Sequence, residues 1–296
     1  MPSDTLPAPS GRLDRIPAVW LVVGGICSVQ LGAAIAKDLF GLVPPTAMVW
    51  MRLATAALIF LIVVRPSFRG RTRDDWVVAL GFGVALMTMN WAIYQSFAEI
   101  PLGVAVTIEF LGPLAVAVVG SRRPRDLIWV GLAGVGVTLL GFSPAGLTVR
   151  GVLFALLAGA AWAAYILLSK QTGQRWPGLS GLAIASLVGF VVLAPPAIVE
   201  AGSLLLTPQV LALGLAIGLL SSVIPYSLEL IALRRISPRI FGILMSLEPA
   251  AAALAALIVL REMLTLTQWL AMACVVAASV GATRTSPPPL DEPLPD

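Results

Sequence analysis

Ten apolar runs divide this chain at nearly even intervals, and each is close to the ~20 residues that a helix needs to cross the hydrocarbon core of a bilayer. They fall at 18–36, 46–64, 76–97, 102–120, 127–143, 151–169, 179–199, 208–232, 240–260 and 266–283. The chain is 58% hydrophobic and 11% charged, whereas charged residues make up about a quarter of a soluble domain. Too little polar surface is therefore available to coat a water-soluble fold. Backbone groups in lipid must be satisfied within their own segment, so the runs are predicted to be helices of an all-α membrane protein with ten transmembrane helices.

The nineteen lysines and arginines sort by connection. Alternate loops on one side carry fifteen: Arg12, Arg15, Arg65, Arg69, Arg71, Arg73, Arg122, Arg123, Arg125, Lys170, Arg175, Arg234, Arg235, Arg239 and Arg284. The other side carries Lys37, Arg150 and Arg261, and Arg52 lies inside a span. Basic loops stay cytoplasmic during insertion, so the bias predicts two cytoplasmic termini and an even number of crossings. The net charge of +4 is attributed to loops facing anionic lipid, with no nucleic-acid partner. Residues 1–17 are predicted to be a disordered cytoplasmic N-terminus ahead of a span too long for a cleaved signal, and the Pro-rich, acidic residues 285–296 a disordered cytoplasmic tail. Cys27 and Cys274 fall in apolar spans as small hydrophobes, with neither a disulfide nor a metal site expected.

The chain has no histidine, which excludes Ser-His-Asp and Cys-His catalysis and histidine proton relays. It has no Gly-Lys dipeptide and hence no phosphate-binding P-loop, so any pumping must draw on a gradient or a partner. Gly131, Gly134 and Gly136 follow no strand and read as helix-packing glycines rather than a dinucleotide site. No cofactor is predicted.

Placing Pro113 over Pro249 brings residues 97–113 (FAEIPLGVAVTIEFLGP) onto 233–249 (LRRISPRIFGILMSLEP), and Lys37 has a counterpart in Lys170. The implied repeat is five spans long, residues 18–145 and then 146–284. Five is odd, so the second copy enters the membrane inverted, and such repeats surround a central cavity in many secondary transporters. Gly24, Ser28, Gly32 and Ala36 recur every fourth residue along the first span, and Ala155, Gly159 and Ala163 along the sixth. Both stripes are expected to serve close helix packing.

Four ionisable residues lie well inside spans: Arg52, Glu109, Glu229 and Glu248. Each charge near the bilayer centre costs about 2.5–3.5 kcal/mol unless paired or hydrated, so a polar chamber is the expected setting. The bland alternative is an Arg-Glu pair that only fixes helix register. Pro113, Pro225 and Pro249 lack the N–H that would bond the carbonyls of Glu109, Ser221 and Met245, which frees those oxygens at helix breaks. Helical spacing adds Asn90 and Tyr94, with Met87 on the same side, and Ser222, Tyr226 and Glu229 on one face. Carboxylates, an amide, hydroxyls and one guanidinium around an apolar chamber suit a small zwitterion.

The segments IEFLGPLAVAVVGSRRP at 108–124 and IPYSLELIALRRISPRIFGILMSLEPAAAALAAL at 224–257 resemble EamA-type exporters of the drug/metabolite transporter superfamily, and the similarity runs from Val19 to Ala282. The resemblance implies export of small amino acids such as threonine and homoserine across the bacterial inner membrane, coupled to protons. Glu109 or Glu248 would then exchange proton and substrate, with Arg52, Asn90, Tyr94 and Tyr226 orienting the ligand. Glu248 adjoins Pro249, whereas Glu109 precedes Pro113 by four residues, so symmetric roles are not implied. The other readings are the same fold with a different metabolite or lipophilic drug as cargo, a membrane-embedded lipid enzyme, and a passive channel.

Overall fold

The structure is a computed structural model that describes residues 16–121, 127–141, 147–233 and 235–285. The expectations for the two termini therefore fall almost wholly outside the described residues. Among those residues the regular structure is helical: α1 (Ala18–Asp38), α2 (Pro45–Val64), α3 (Arg73–Glu99), α4 (Leu102–Glu109), α5 (Leu111–Ser121), α6 (Leu127–Gly141) and α7 (Val149–Arg175). They are followed by α8 (Ser180–Ala201), α9 (Pro208–Gly218), α10 (Ile224–Leu233), α11 (Pro238–Met245), α12 (Glu248–Ala255) and α13 (Leu266–Thr285). Nine described helical stretches are long and apolar enough to cross a membrane, and Leu127–Leu140 is a shorter apolar helix. The nine correspond to nine of the ten predicted runs. The remaining run, 127–143, ends at residues that are not described.

Two spans break where proline removes an N–H. α4 stops at Glu109 and α5 resumes at Leu111, before Pro113, while α11 stops at Met245 and α12 resumes at Glu248, before Pro249. The shift of 136 residues that places Pro113 on Pro249 also carries Leu102–Glu109 onto Pro238–Met245. Pro225 acts differently. α9 runs into α10 through a π-helical stretch, Leu219–Val223, directly upstream of that proline, and such wide turns are frequent at functional sites.

Small residues set the helix spacing, as membrane packing without a hydrophobic driving force requires. On α1, Ser28 Oγ donates to the Leu220 carbonyl at 2.6 Å, and a Cβ added at Gly32 would run into the Ser221 hydroxyl. The stripe therefore seats α1 against the π-helical stretch. On α7, Gly159 lies under the α4–α5 break, where an added Cβ would stand 2.7 Å from the Glu109 carbonyl oxygen. The carbonyl that Pro113 leaves without an N–H thus rests on a glycine. Of Gly131, Gly134 and Gly136 in α6, only Gly136 packs closely, against the Ala271 carbonyl of α13. Among the described residues Gly131 and Gly134 have no packing neighbour within 4 Å of an added Cβ, so the packing expectation fails for them.

The helix ends form two polar belts. At one end Arg175 pairs with Asp75 at 3.1 Å, Arg71 donates to the Arg175 carbonyl at 2.7 Å, and Arg235 donates to the Ile16 carbonyl at 3.2 Å. At the other end Lys37 pairs with Glu262 at 2.6 Å, beside Arg261, and Arg150 pairs with Glu99 at 3.6 Å. Lys37, Arg150 and Arg261, the minority basic residues, thus gather at a single end.

Candidate functional site

A cavity of about 750 Å³ lies between the helices, lined by residues of α1, α2, α3, α4, α5, α7, α10, α11, α12 and α13. All seven side chains singled out in the sequence, Arg52, Asn90, Tyr94, Glu109, Tyr226, Glu229 and Glu248, line it. Pro113 and Pro225 also form part of its wall. Pro249 is buried behind Glu248 and is absent from the lining. Met87 turns away despite its helical spacing. It sits round α3 towards α8, against Gly189 and in a separate cavity of about 350 Å³, and Met89 takes a place on the main wall instead.

Arg52 is the most constrained group. It is 4% exposed, and its Nε donates to Ser222 Oγ at 2.8 Å while Nη2 donates to the Ser221 carbonyl at 2.5 Å. Nη1 reaches the Tyr94 hydroxyl at 3.5 Å, and the guanidinium carbon stands 5.6 Å from the Tyr94 ring centre. The Ser221 carbonyl is the one that Pro225 leaves without an N–H. A helix break therefore supplies the acceptor that fixes the guanidinium.

The carboxylates are arranged in the opposite way. Glu109 ends α4, Glu248 begins α12, and Glu229 lies on α10, where its Cγ and Oε1 would each stand 3.7 Å from a Cβ added at Gly25 of α1. None of the three has an ion-pair partner within 4.0 Å among the described residues. The register-fixing Arg-Glu pair considered above is therefore absent among the described residues. Three acids and one guanidinium share this cavity, so the chamber's charge balance depends on what enters it.

Neutral and aromatic lining residues escaped sequence reasoning: Gln30, Trp162, Tyr165, Ser279 and Thr283. Phe110 stands edge-on to Trp162 at 5.4 Å, and Phe82 stacks on Tyr165 at 4.8 Å. The wall reaches Leu233 at the end of α10, Phe241 in the first turn of α11 and Thr283 in the last turn of α13, all at the end rich in basic residues. Towards the other end it stops at Phe97 and Val106. At this end Tyr94 and Phe97 pack ring against ring, and Phe40 packs on Tyr94. Lys37 also donates to the Ile100 carbonyl at 2.8 Å, and the Leu102 N–H donates to Glu262 at 2.9 Å. The cavity is closed at that end by α1, the start of α4 and the approach to α13.

Residues 149–284 match the profile of the EamA-like transporter family. Over 282 residues the chain is 42% identical to the threonine/homoserine exporter RhtA of Escherichia coli K12, covering 93% of this chain and 95% of that protein. It belongs to the EamA-like transporter family. The Salmonella typhimurium LT2 exporter of the same name is 41% identical over the same shares. An uncharacterized transporter of Bacillus subtilis, YwfM, is 32% identical over 53% of this chain. One crystal structure superposes with a TM-score of 0.62 at 18% identity, over 90% of this chain and 97% of that one, which establishes a shared fold. This EamA-like chain is a multi-pass membrane protein from a family of transporters, so the enzyme reading is set aside.

Proposed function

We propose that the chain is a secondary exporter of small amino acids such as threonine and homoserine, driven by the proton gradient. It crosses the bacterial inner membrane ten times with both termini cytoplasmic, as two five-helix repeats, 18–145 and 146–284, inserted in opposite directions. The observation that carries this reading is the chamber itself, where one fixed guanidinium faces three carboxylates that have no ion-pair partner among the described residues. The name of the E. coli relative and its coverage support the choice of cargo. The inverted repeat is supported by the equivalent helix breaks and by reciprocal packing: α2 packs on α8, α6 on α13, α3 on α7 and α1 on α10.

The chemistry follows from charge balance in a low-dielectric space. A substrate carboxylate is oriented by Arg52, Asn90, Tyr94 and Tyr226, and its ammonium is held by Glu109 or Glu248. When the substrate leaves, the same glutamate takes a proton, because a bare carboxylate at that depth is costly. Glu229, nearer the basic end, lies on the route between the chamber and the cytoplasm. With both termini cytoplasmic, the open end of the cavity is the cytoplasmic one in this reading, and exchange of the open and closed ends between the two repeats gives alternating access.

A larger lipophilic cargo is the second reading, favoured by a volume of about 750 Å³ with mostly apolar walls, the size of a drug-sized ligand site. Purified protein in proteoliposomes, given labelled threonine and homoserine with and without an imposed pH gradient, separates the two. Saturable, gradient-dependent uptake of both amino acids is expected. Uptake of lipophilic cations with none of either amino acid supports the second reading instead.

A further inference from the structure

One neutral side chain in the chamber wall stands apart in its hydrogen bonding. Asn90 donates to the Leu86 carbonyl at 2.8 Å, Ser169 to the Ile166 carbonyl at 2.8 Å, and Thr283 to the Ser279 carbonyl at 2.8 Å. Ser279 shares a hydrogen bond of 2.9 Å with Ser246. Gln30 differs from all of these. It lines the cavity from α1 and is 5% exposed, yet its Oε1 is buried with no hydrogen-bond partner among the described residues. A buried acceptor left in that condition is costly, which calls for a partner that arrives from outside the protein.

The position of Gln30 along α1 suggests that partner. Ser28 bonds the Leu220 carbonyl and Gly32 lies against Ser221, so Gln30, midway between them, sits level with the carbonyl that holds Arg52. Gln30 and Arg52 line the same chamber, so a zwitterion whose carboxylate is set before Arg52 can turn its side chain towards Gln30. Arg52 and the glutamates meet the charges that all amino acids share, and so they do little to tell one side chain from another. A neutral acceptor flanked by Val29 and Ala33 can do so.

We propose that Gln30 is the specificity-determining residue that accepts a hydrogen bond from the substrate's side-chain hydroxyl, so that hydroxylated amino acids are exported in preference to their methyl isosteres. The last torsion of a glutamine is soft, so the amide turns to present its oxygen to the chamber at little cost. A site whose polar group is left unpaired by the wrong substrate discriminates far more strongly than an apolar one. The assignment rests on the amino-acid export reading above.

The test is competition between threonine and valine in the same proteoliposomes, for the natural protein and for Gln30→Leu and Gln30→Met. The natural protein is expected to prefer threonine, and each variant to lower the threonine-to-valine ratio by about ten-fold. O-Methylthreonine, which keeps the oxygen but cannot donate, is expected to compete with the natural protein no better than valine. This measurement needs no variant to fold. A ratio that survives in both variants, or O-methylthreonine competing as well as threonine, overturns the assignment. Absence of threonine transport by the natural protein removes the export reading and this inference with it, whereas threonine transport with an unchanged ratio removes only the inference.

Discussion

Arg52 and Ser221 lie on different helices, and the Nη2 of the first donates to the backbone carbonyl of the second at 2.5 Å. In an unbroken α-helix that carbonyl would accept from residue 225, but residue 225 is a proline with no N–H to offer. The guanidinium is thus held by a backbone group that a helix defect releases. A hydrogen bond to a charged group is worth about 1.5–3 kcal/mol.

Pro225→Ala restores the competing N–H and weakens the grip on Arg52. The expected result is a fall of about ten-fold or more in transport at sub-saturating threonine, given that each 1.4 kcal/mol is worth a factor of ten. Initial rates in proteoliposomes across a range of substrate concentrations check it. Rates equal to those of the natural protein would show that the released carbonyl does not orient the site.

The legible part of this molecule was written in its most expensive residues. Arg52, Glu109, Glu229 and Glu248 stand out because an ionisable group in a span must find a polar setting, and all four line the cavity. Pro225 was readable for a similar reason, since a missing N–H has to leave a carbonyl somewhere. Gln30 and Trp162 gave no such signal: one is neutral within an apolar span, and the other has the same composition as a lipid-facing tryptophan. Met87 misled because its spacing from Asn90 fits one helical face, whereas the width of the cavity sends it towards α8. Gly131 and Gly134 misled because glycine spacing cannot tell a packed face from one with no neighbour.

The closed end depends on Lys37 and Glu262, which bond each other at 2.6 Å and also reach the Ile100 carbonyl and the Leu102 N–H. Glu262→Gln removes the ion pair, and losing about 1–2 kcal/mol of closure increases the open population roughly five- to thirty-fold. With Phe97→Cys as a reporter in a background lacking Cys27 and Cys274, labelling from the outer face is expected to accelerate by that factor. Exchange of the two charges, Lys37→Glu with Glu262→Lys, is expected to recover part of the protection. Unchanged labelling in Glu262→Gln would mean that the pair does not hold this end shut.

Gly112 and Gly159 bring α5 and α7 together backbone to backbone, and a Cβ added at Gly112 would run into the Gly159 carbonyl. Neither backbone can yield by turning a side chain. Gly112→Ala is expected to destabilise the protein by about 1–3 kcal/mol, as over-packing does. Gly131→Ala, at a site with no packing neighbour within 4 Å, is expected to leave stability unchanged or slightly raised. Thermal unfolding of the two variants in detergent, side by side, makes the comparison.

The central claim is that a cavity glutamate holds either the substrate's ammonium or a proton, and proton movement during threonine exchange tests it most directly. A pH-sensitive dye trapped in proteoliposomes is expected to report proton flux when threonine is added to the natural protein. In Glu109→Gln or Glu248→Gln, whichever residue carries the proton, proton flux and gradient-driven accumulation are expected to disappear, and threonine counterflow to weaken because the substrate's ammonium loses its carboxylate partner. If both variants still accumulate threonine against its gradient with the proton flux of the natural protein, neither glutamate couples the two movements and the account is contradicted.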